Sequence, residues 1–100
     1  MPEQILEFYL THHFMLQGWD RSIDKSILYK LLPFVHSSKA DKKVVVITPG
    51  FYKSKGVAGR ANHCLVLVLK HKIIKTGFWC NRPNYLYKKD REAEIQWLYF

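Results

Sequence analysis

Histidine, arginine and lysine are the side chains of this sequence that are best suited to chemistry on a phosphate ester. The chain contains five histidines and sixteen lysines and arginines. Histidine titrates near neutral pH and can take or give a proton, while arginine and lysine stabilise negative charge that develops on phosphate. No carboxylate lies between Asp41 and Asp90, so histidine is favoured for proton transfer. These residue types predict metal-independent acid-base cleavage of RNA if the protein is an enzyme.

Three residues are the candidates for this chemistry. His13 is the first candidate for acid or base, because Arg21 follows eight residues later, beyond a turn, and can approach it to bind phosphate. His63 begins a predicted strand beside a basic loop and is the second candidate. Each has a structural alternative that stays open. His13 fits a histidine that is hydrogen-bonded to the backbone at a helix end. Arg21 fits an ion pair with Asp20 or Asp24, and His63 fits an ordinary histidine at the edge of the sheet.

A basic segment with interleaved aromatic rings is the candidate binding site for nucleic acid. Residues 50–63 read GFYKSKGVAGRANH, with glycines for backbone freedom and no acidic residue. Cations beside rings that can stack on bases are typical of proteins that bind single-stranded RNA. A second cluster of this type follows residue 80. The predicted binding residues of both clusters are Lys53, Lys55, Arg60, Arg82, Tyr52 and Tyr85. The alternatives are a solvated, disordered loop and tyrosines at the edge of the core.

The charge distribution supports a polyanionic partner. The formal net charge is +8, and eleven basic residues fall in the stretch between Asp41 and Asp90 that lacks acids. A field of one sign attracts nucleic acid first and acidic proteins second. Solubility alone is the simpler explanation of the same charge.

The N-terminal part, residues 1–37, is predicted to be mainly helical. Thr11 suits the N-cap of a short helix, and Asp24 that of a second helix with apolar residues at helical spacing. Pro33 is expected to end the second helix. Residues 4–10 fit either a short strand or a first helical turn.

After the helical part, the spacing of apolar residues changes to the pattern that is typical of strands. Residues 43–48, 62–70 and 73–80 are rich in β-branched and aromatic residues and predict an antiparallel sheet over 43–80. Regular pairing of the last two strands places Cys64 and Cys80 on opposite faces, where they cannot form a disulfide. Residues 81–100 are expected to form a loop and a docking tail, either helix or strand. The predicted fold is a single α+β domain, in which an N-terminal helical hairpin packs on a twisted antiparallel sheet of three to four strands.

One stretch also resembles a known family. HFMLQGWDRSI (13–23) is similar to the H-x(3)-R-x(3)-R-x-I signature that opens a widespread family of small bacterial domains of unknown function. That family resembles the RelE/ParE-like and BrnT-like ribonuclease toxins. His13, Arg21 and Ile23 match the signature, whereas Gln17 stands in place of its first arginine. The resemblance implies helices packed on a twisted sheet, RNA cleavage as an activity, and an acidic antitoxin as a protein partner.

The sequence indicates neither a cofactor nor a metal. It contains no C-x-x-C and no H-E-x-x-H motif. Its apolar runs are too short for a membrane span, the first residues lack a signal peptide, and two cysteines fit a reducing cytoplasm. We therefore expect a cytoplasmic protein with no membrane partner. Three functional hypotheses follow: a toxin-like endoribonuclease, a non-catalytic RNA-binding module, and a basic adaptor that docks an acidic protein.

Overall fold

Strands outnumber helices in the part of the chain that the structure describes. A computed structural model describes residues 3–20, 22–36, 41–60, 62–81 and 94–99. The elements, in chain order, are β1 (Glu3–Ile5), β2 (Phe8–Leu10), α1 (His12–Asp20), α2 (Lys25–Leu31), a 3-10 turn (Leu32–Phe34), β3 (Lys43–Ile47), α3 (Pro49–Ser54), β4 (Cys64–Lys70), β5 (Ile73–Cys80) and β6 (Glu94–Leu98).

All six strands belong to one mixed, curled sheet that resembles half of a barrel. Its strand order is β1-β2-β5-β4-β3-β6. The pairs β1/β2, β5/β4 and β4/β3 are antiparallel, whereas β2/β5 and β3/β6 are parallel. The prediction of an antiparallel sheet with three to four strands is therefore wrong. It missed the parallel strands that are added on either side of the central β5-β4-β3 unit.

The predicted N-terminal helical hairpin is also wrong, because the chain begins with a β-hairpin. Leu6 has a positive φ of 56°, which lets β1 turn tightly into β2. Ile5, Phe8 and Leu10 are buried, while Tyr9 remains exposed, and this alternation is the period of a half-buried strand. The sequence left open whether residues 4–10 form a short strand or a first helical turn. Burial of these three side chains in the core decides for strands.

The helix signals in the sequence are confirmed. The Thr11 hydroxyl accepts a hydrogen bond from the Phe14 backbone N–H at 3.0 Å at the start of α1. The Asp24 carboxylate accepts one from the Ile27 N–H, also at 3.0 Å, at the start of α2. Helix α2 ends at Leu31, and Pro33 lies in the 3-10 turn that follows.

A β-bulge in the β4-β5 hairpin changes which side chains share a face. Val68 pairs with Thr76, but its neighbour Leu69 pairs with Ile74, so that Lys75 is the extra residue. A shift of one residue turns every following side chain to the other face. The register predicted for the end of β5 is therefore wrong, and Cys80 lies directly opposite Cys64.

The larger core lies between the sheet and its helices. We call this side of the sheet the helix face; it carries Val45, Ile47, Leu65, Leu67, Leu69 and Ile74. Helix α1 packs closely on β5, since a Cβ atom at Gly77 would lie 2.9 Å from Cε2 of Phe14. The opposite side, which we call the second face, carries Val44, Val46 and Val66 together with the half-buried Cys64, Val68, Phe78, Cys80, Ile95 and Trp97. None of the helices within the described ranges is long and apolar enough to cross a membrane.

Candidate nucleic-acid interface

Residues 50–63, which we call the basic segment, lie between β3 and β4, and residues 50–54 belong to helix α3. Pro49 occupies the first turn of α3, where a missing backbone N–H costs nothing. After the helix, Gly56 and Gly59 have φ values of +80° and +60°, and Asn62 has one of 62°. These left-handed residues reverse the chain and bring it back to the start of β4.

Tyr52 anchors the basic segment from inside. Its side chain is fully buried, and its ring packs edge-on against Trp79 with 5.6 Å between ring centroids. The Tyr52 hydroxyl is the donor to two carbonyl oxygens that share its hydrogen. The carbonyl oxygen of Arg60 lies 2.7 Å away and that of His63 lies 2.8 Å away. Burial raises the pKa of the Tyr52 hydroxyl. Tyr52, predicted to stack on a base, thus lies in the core, where its ring cannot reach one.

Gly59 is fitted to this buried ring. A Cβ atom at position 59 would lie 2.2 Å from Cε1 of Tyr52, and the positive φ there disfavours any other residue. Val57 closes the same turn, since its backbone N–H donates to the Tyr52 carbonyl oxygen at 3.0 Å. Residues 57, 59, 60 and 63 therefore all contact one tyrosine.

Two lysines are held in place at the outer side of the basic segment. Lys55 Nζ lies 4.4 Å from the ring centroid of Phe34 and 5.4 Å from that of Phe51. The two rings meet edge to face, with centroids 5.3 Å apart. Lys30, from α2, donates from Nζ to the Gly56 carbonyl oxygen at 3.2 Å. The result is a pair of cations beside a partly exposed aromatic pair.

Lys53 and Arg60 complete a cationic surface at this end of the sheet. Both side chains are exposed. We call Lys30, Lys53, Lys55 and Arg60 the segment cluster. A cleft of about 290 Å³ between α2 and residues 56–59 adjoins it, and its lining includes Asp24 as well as Lys30.

A second group of cations lies at the other end of β4. Lys42, Lys70 and Lys75 line a shallow depression there, with Lys72 in the adjoining turn; we call these four the tip cluster. Carboxylates accompany them, because Glu7 lies 3.9 Å from Lys72 and Asp41 lies 3.7 Å from His71. Seven residues of β4 separate the two clusters, which corresponds to about 20 Å. In the described part of the acid-free stretch, the cations therefore fall into two separate groups.

The predicted catalytic residues are only partly located. His13 is exposed on α1, and His63 is half-buried immediately before β4. The backbone N–H of His63 donates to the Arg60 carbonyl oxygen at 3.1 Å, so His63 and Arg60 belong to one turn. Arg21, Arg82 and Tyr85 lie outside the described residues. In the part of the chain that is described, no three histidine, cysteine or acidic side chains form a group that could hold a metal ion.

Two residues of this surface were missed by the sequence prediction. Phe34 is 38% exposed beside Lys55, and Lys30 reaches the basic segment from a different helix. The exposure of Phe34 follows from Pro33, which ends α2 and turns the chain. The hydrogen bond from Lys30 to Gly56 spans 26 residues, and no local pattern indicates it.

Comparison with known proteins gives no match to this chain, whether with protein-family models, with curated protein sequences or with solved structures. The resemblance to the ribonuclease-toxin families stays a prediction.

Proposed function

We propose that this protein binds single-stranded RNA through the segment cluster and the aromatic pair Phe34 and Phe51, and that it does so in the cytoplasm. The observation that carries the proposal is the position of Lys55 over the partly exposed rings of Phe34 and Phe51, with Lys30 bonded to the Gly56 carbonyl of the same segment. Cations attract the phosphate chain without regard to sequence, and aromatic faces stack on any base.

Preorganisation favours this surface over a loose basic loop. Lys55 and Lys30 are already positioned by the Phe34 ring and the Gly56 carbonyl, so less side-chain freedom is lost when RNA binds. The Tyr52 anchor has the same effect on the backbone of residues 57–63. Carboxylates lie near both clusters, Glu7 and Asp41 at the tip cluster and Asp24 beside Lys30, so the aromatic pair beside Lys55 is what distinguishes the segment cluster.

The test compares two variants that remove equal charge from the two ends of the sheet. Affinity for a labelled single-stranded RNA is measured between about 50 and 200 mM salt, where each neutralised phosphate contributes about 0.7 to the logarithmic salt slope. Lys53→Ala with Arg60→Ala should weaken binding strongly and lower that slope by about 0.7 for each phosphate that is no longer neutralised. Lys70→Ala with Lys75→Ala is the matched control and should have a much smaller effect.

Two results would reject this site. Equal loss of affinity in both double variants would mean that net charge, and not the segment cluster, attracts RNA. An absence of RNA binding by the unaltered protein at the lowest salt would reject RNA as the partner. Binding of an acidic polypeptide under the same conditions would then favour an adaptor or an antitoxin-bound protein.

Metal-independent RNA cleavage is a second candidate function, favoured by the turn that joins His63 to Arg60. In that reaction one imidazole takes the proton of the 2′-hydroxyl group, another group protonates the leaving 5′ oxygen, and a cation stabilises the phosphate. His63 and His13 are the candidates for proton transfer, and Arg60 is the cation next to His63. Cleavage in the presence of a metal chelator should be lost in His63→Ala and kept in His71→Ala, a control at the tip of the β4-β5 hairpin. RNA that is bound but left intact by the unaltered protein would restrict the function to binding.

A further inference from the structure

The two cysteines of the chain face each other across the β4-β5 hairpin. Cys64 is the first residue of β4, Cys80 is the last of β5, and the two are direct partners in the antiparallel register. Direct partners point to the same side of a sheet, and both side chains belong to the half-buried part of the second face. Both are free thiols.

The spacing of such a pair is close to that of a disulfide. Opposite residues of antiparallel strands have Cα atoms about 4.5–5.5 Å apart and Cβ atoms about 4.5–5.5 Å apart. Disulfides accept Cα separations of about 4.4–6.8 Å and Cβ separations of about 3.5–4.5 Å. The Cα spacing fits, and the Cβ atoms need only a small approach. The pair lies where both strands end, so few neighbouring ladder hydrogen bonds resist that movement.

We propose that Cys64 and Cys80 form a reversible intramolecular disulfide when the protein meets a hydroperoxide, ROOH. One thiolate attacks the O–O bond and becomes a sulfenic acid, and the alkoxide that leaves is protonated to ROH. The second thiolate then attacks that sulfur and displaces hydroxide, which is protonated to water. In sum, two thiols and one hydroperoxide give one disulfide, ROH and water. Two equivalents of a small thiol reduce the disulfide back to the two cysteine thiols by thiol–disulfide exchange.

The environment of the pair makes its oxidation slow, because the thiolate is the form that attacks the hydroperoxide. Burial, and to a smaller extent the neighbouring Cys80, raises the pKa of the Cys64 thiol. The thiol form of Cys64 is therefore favoured at rest. The effect of Cys80 on this pKa fits the direct pairing of the two residues. A cross-strand disulfide that requires approach of the strands is strained, and strained disulfides are the readily reduced ones.

The cross-link would act on the end of the basic segment. Cys64 follows His63 directly, and the His63 carbonyl accepts the Tyr52 hydroxyl hydrogen bond. A bond from Cys64 to Cys80 ties this end of the segment to the end of β5. Oxidation should therefore slow amide hydrogen exchange at both strand ends, and reduction should restore it.

The experiment titrates the folded protein with hydrogen peroxide at low protein concentration. Mass spectrometry is expected to show loss of two hydrogen atoms per chain, and thiol titration loss of both thiols. Dithiothreitol should reverse both changes. Cys80→Ser combined with Asn81→Cys is the matched control: it keeps two thiols but moves the second by one residue, beyond the strand, to an exposed position. That variant should form the intramolecular disulfide far more slowly.

Three outcomes overturn the proposal. The first is oxidation of the unaltered chain to sulfinic or sulfonic acid without a disulfide. The second is disulfide formation only between chains. The third is an equal rate in the control variant, which would mean that chance collision and not strand register brings the thiols together.

Discussion

Removal of one oxygen atom, in Tyr52→Phe, tests whether the basic segment is anchored from the core. The ring of Tyr52 keeps its packing against Trp79, so only the hydroxyl group is removed. The His63 carbonyl oxygen then loses the Tyr52 donor, whereas the Arg60 carbonyl keeps its hydrogen bond from the His63 N–H. A buried polar group left without a partner costs about 1–3 kcal/mol. We expect the free energy of unfolding to fall by that amount, with a melting temperature lower by about 4–8 °C for each kcal/mol in a domain of this size.

The assay is urea and thermal unfolding, with Tyr29→Phe as the matched control. Tyr29 is 55% exposed on α2, and an exposed substitution of this kind changes stability by no more than about 0.5 kcal/mol. Affinity for single-stranded RNA should fall in Tyr52→Phe but not in Tyr29→Phe, since only the former releases residues 57–63. Equal stability of the two variants would refute the anchoring role of the Tyr52 hydroxyl.

The pH dependence of the same variant gives an independent check. Burial raises the pKa of Tyr52 above its ordinary value of 10.0. The unfolded chain therefore ionises first as the pH rises, and stability that is complete below pH 10 is lost as the pH rises through the folded-state pKa. Tyr52→Phe lacks this group, so its stability should fall less steeply than that of the unaltered protein above pH 10. Parallel curves for the two proteins would contradict burial of the phenol.

Two further substitutions test neighbouring features. Gly59→Ala should cost more than about 1 kcal/mol, because it adds a Cβ atom at positive φ against the Tyr52 ring. Gly56→Ala, also at positive φ but with only Lys30 Nζ near the new atom, at 3.9 Å, should cost less in the same urea titration. Asp24→Ala should lose the cap of α2, at a cost of about 1 kcal/mol, whereas Asp24→Asn should keep most of it. Hydrogen bonds from Ser26 and then Ile27 lower the pKa of Asp24, so its ionic contribution exists above about pH 4 and is lost as the pH falls; acid titration of Asp24→Asn should lack that loss.

Local signals predicted the elements whose cause is local. The caps at Thr11 and Asp24 depend on hydrogen bonds within three residues, and Pro33 ends α2 through its own ring. The strands of the central unit follow from runs of β-branched residues. The N-terminal β-hairpin and β6 could not be assigned in this way, because short segments become strands only when a partner strand is available. Their partners, β5 and β3, lie far away in the sequence.

The register of the β4-β5 hairpin shows how one residue can reverse a prediction. Simple alternation along residues 73–80 ignores the bulge at Lys75 and assigns Cys80 to the wrong face. A lysine is an acceptable extra residue there because its exposed side chain needs no place in the core. The bulge lets both Ile74 and Trp79 pack on the helix face. The position of the bulge depends on packing across the whole sheet, so the local sequence pattern does not predict it.

For the candidate site, the sequence could not predict the geometry. The basic and aromatic composition of residues 50–63 marked a surface, but composition does not tell which ring faces the core. Tyr52 follows β3 by five residues and its ring turns inward to occupy the space against Trp79, which leaves Phe34 and Phe51 at the surface beside Lys55. The burial of one aromatic residue thus creates the rigid backbone on which the exposed cations are placed.

The distribution of charge in space bears on the choice of partner more directly than the net charge. A chain with net charge +8 attracts polyanions in general, but among the described residues two groups of four cations lie at opposite ends of β4. At the tip cluster, exposed pairs with Glu7 and Asp41 contribute little to stability, yet they lower the local potential. At the segment cluster, Asp24 adjoins Lys30, but Lys55 lies over two aromatic rings, a contact that leaves its positive charge in place. A ligand that is attracted by charge and stabilised by stacking should therefore prefer the end with Phe34, and single-stranded RNA combines both properties.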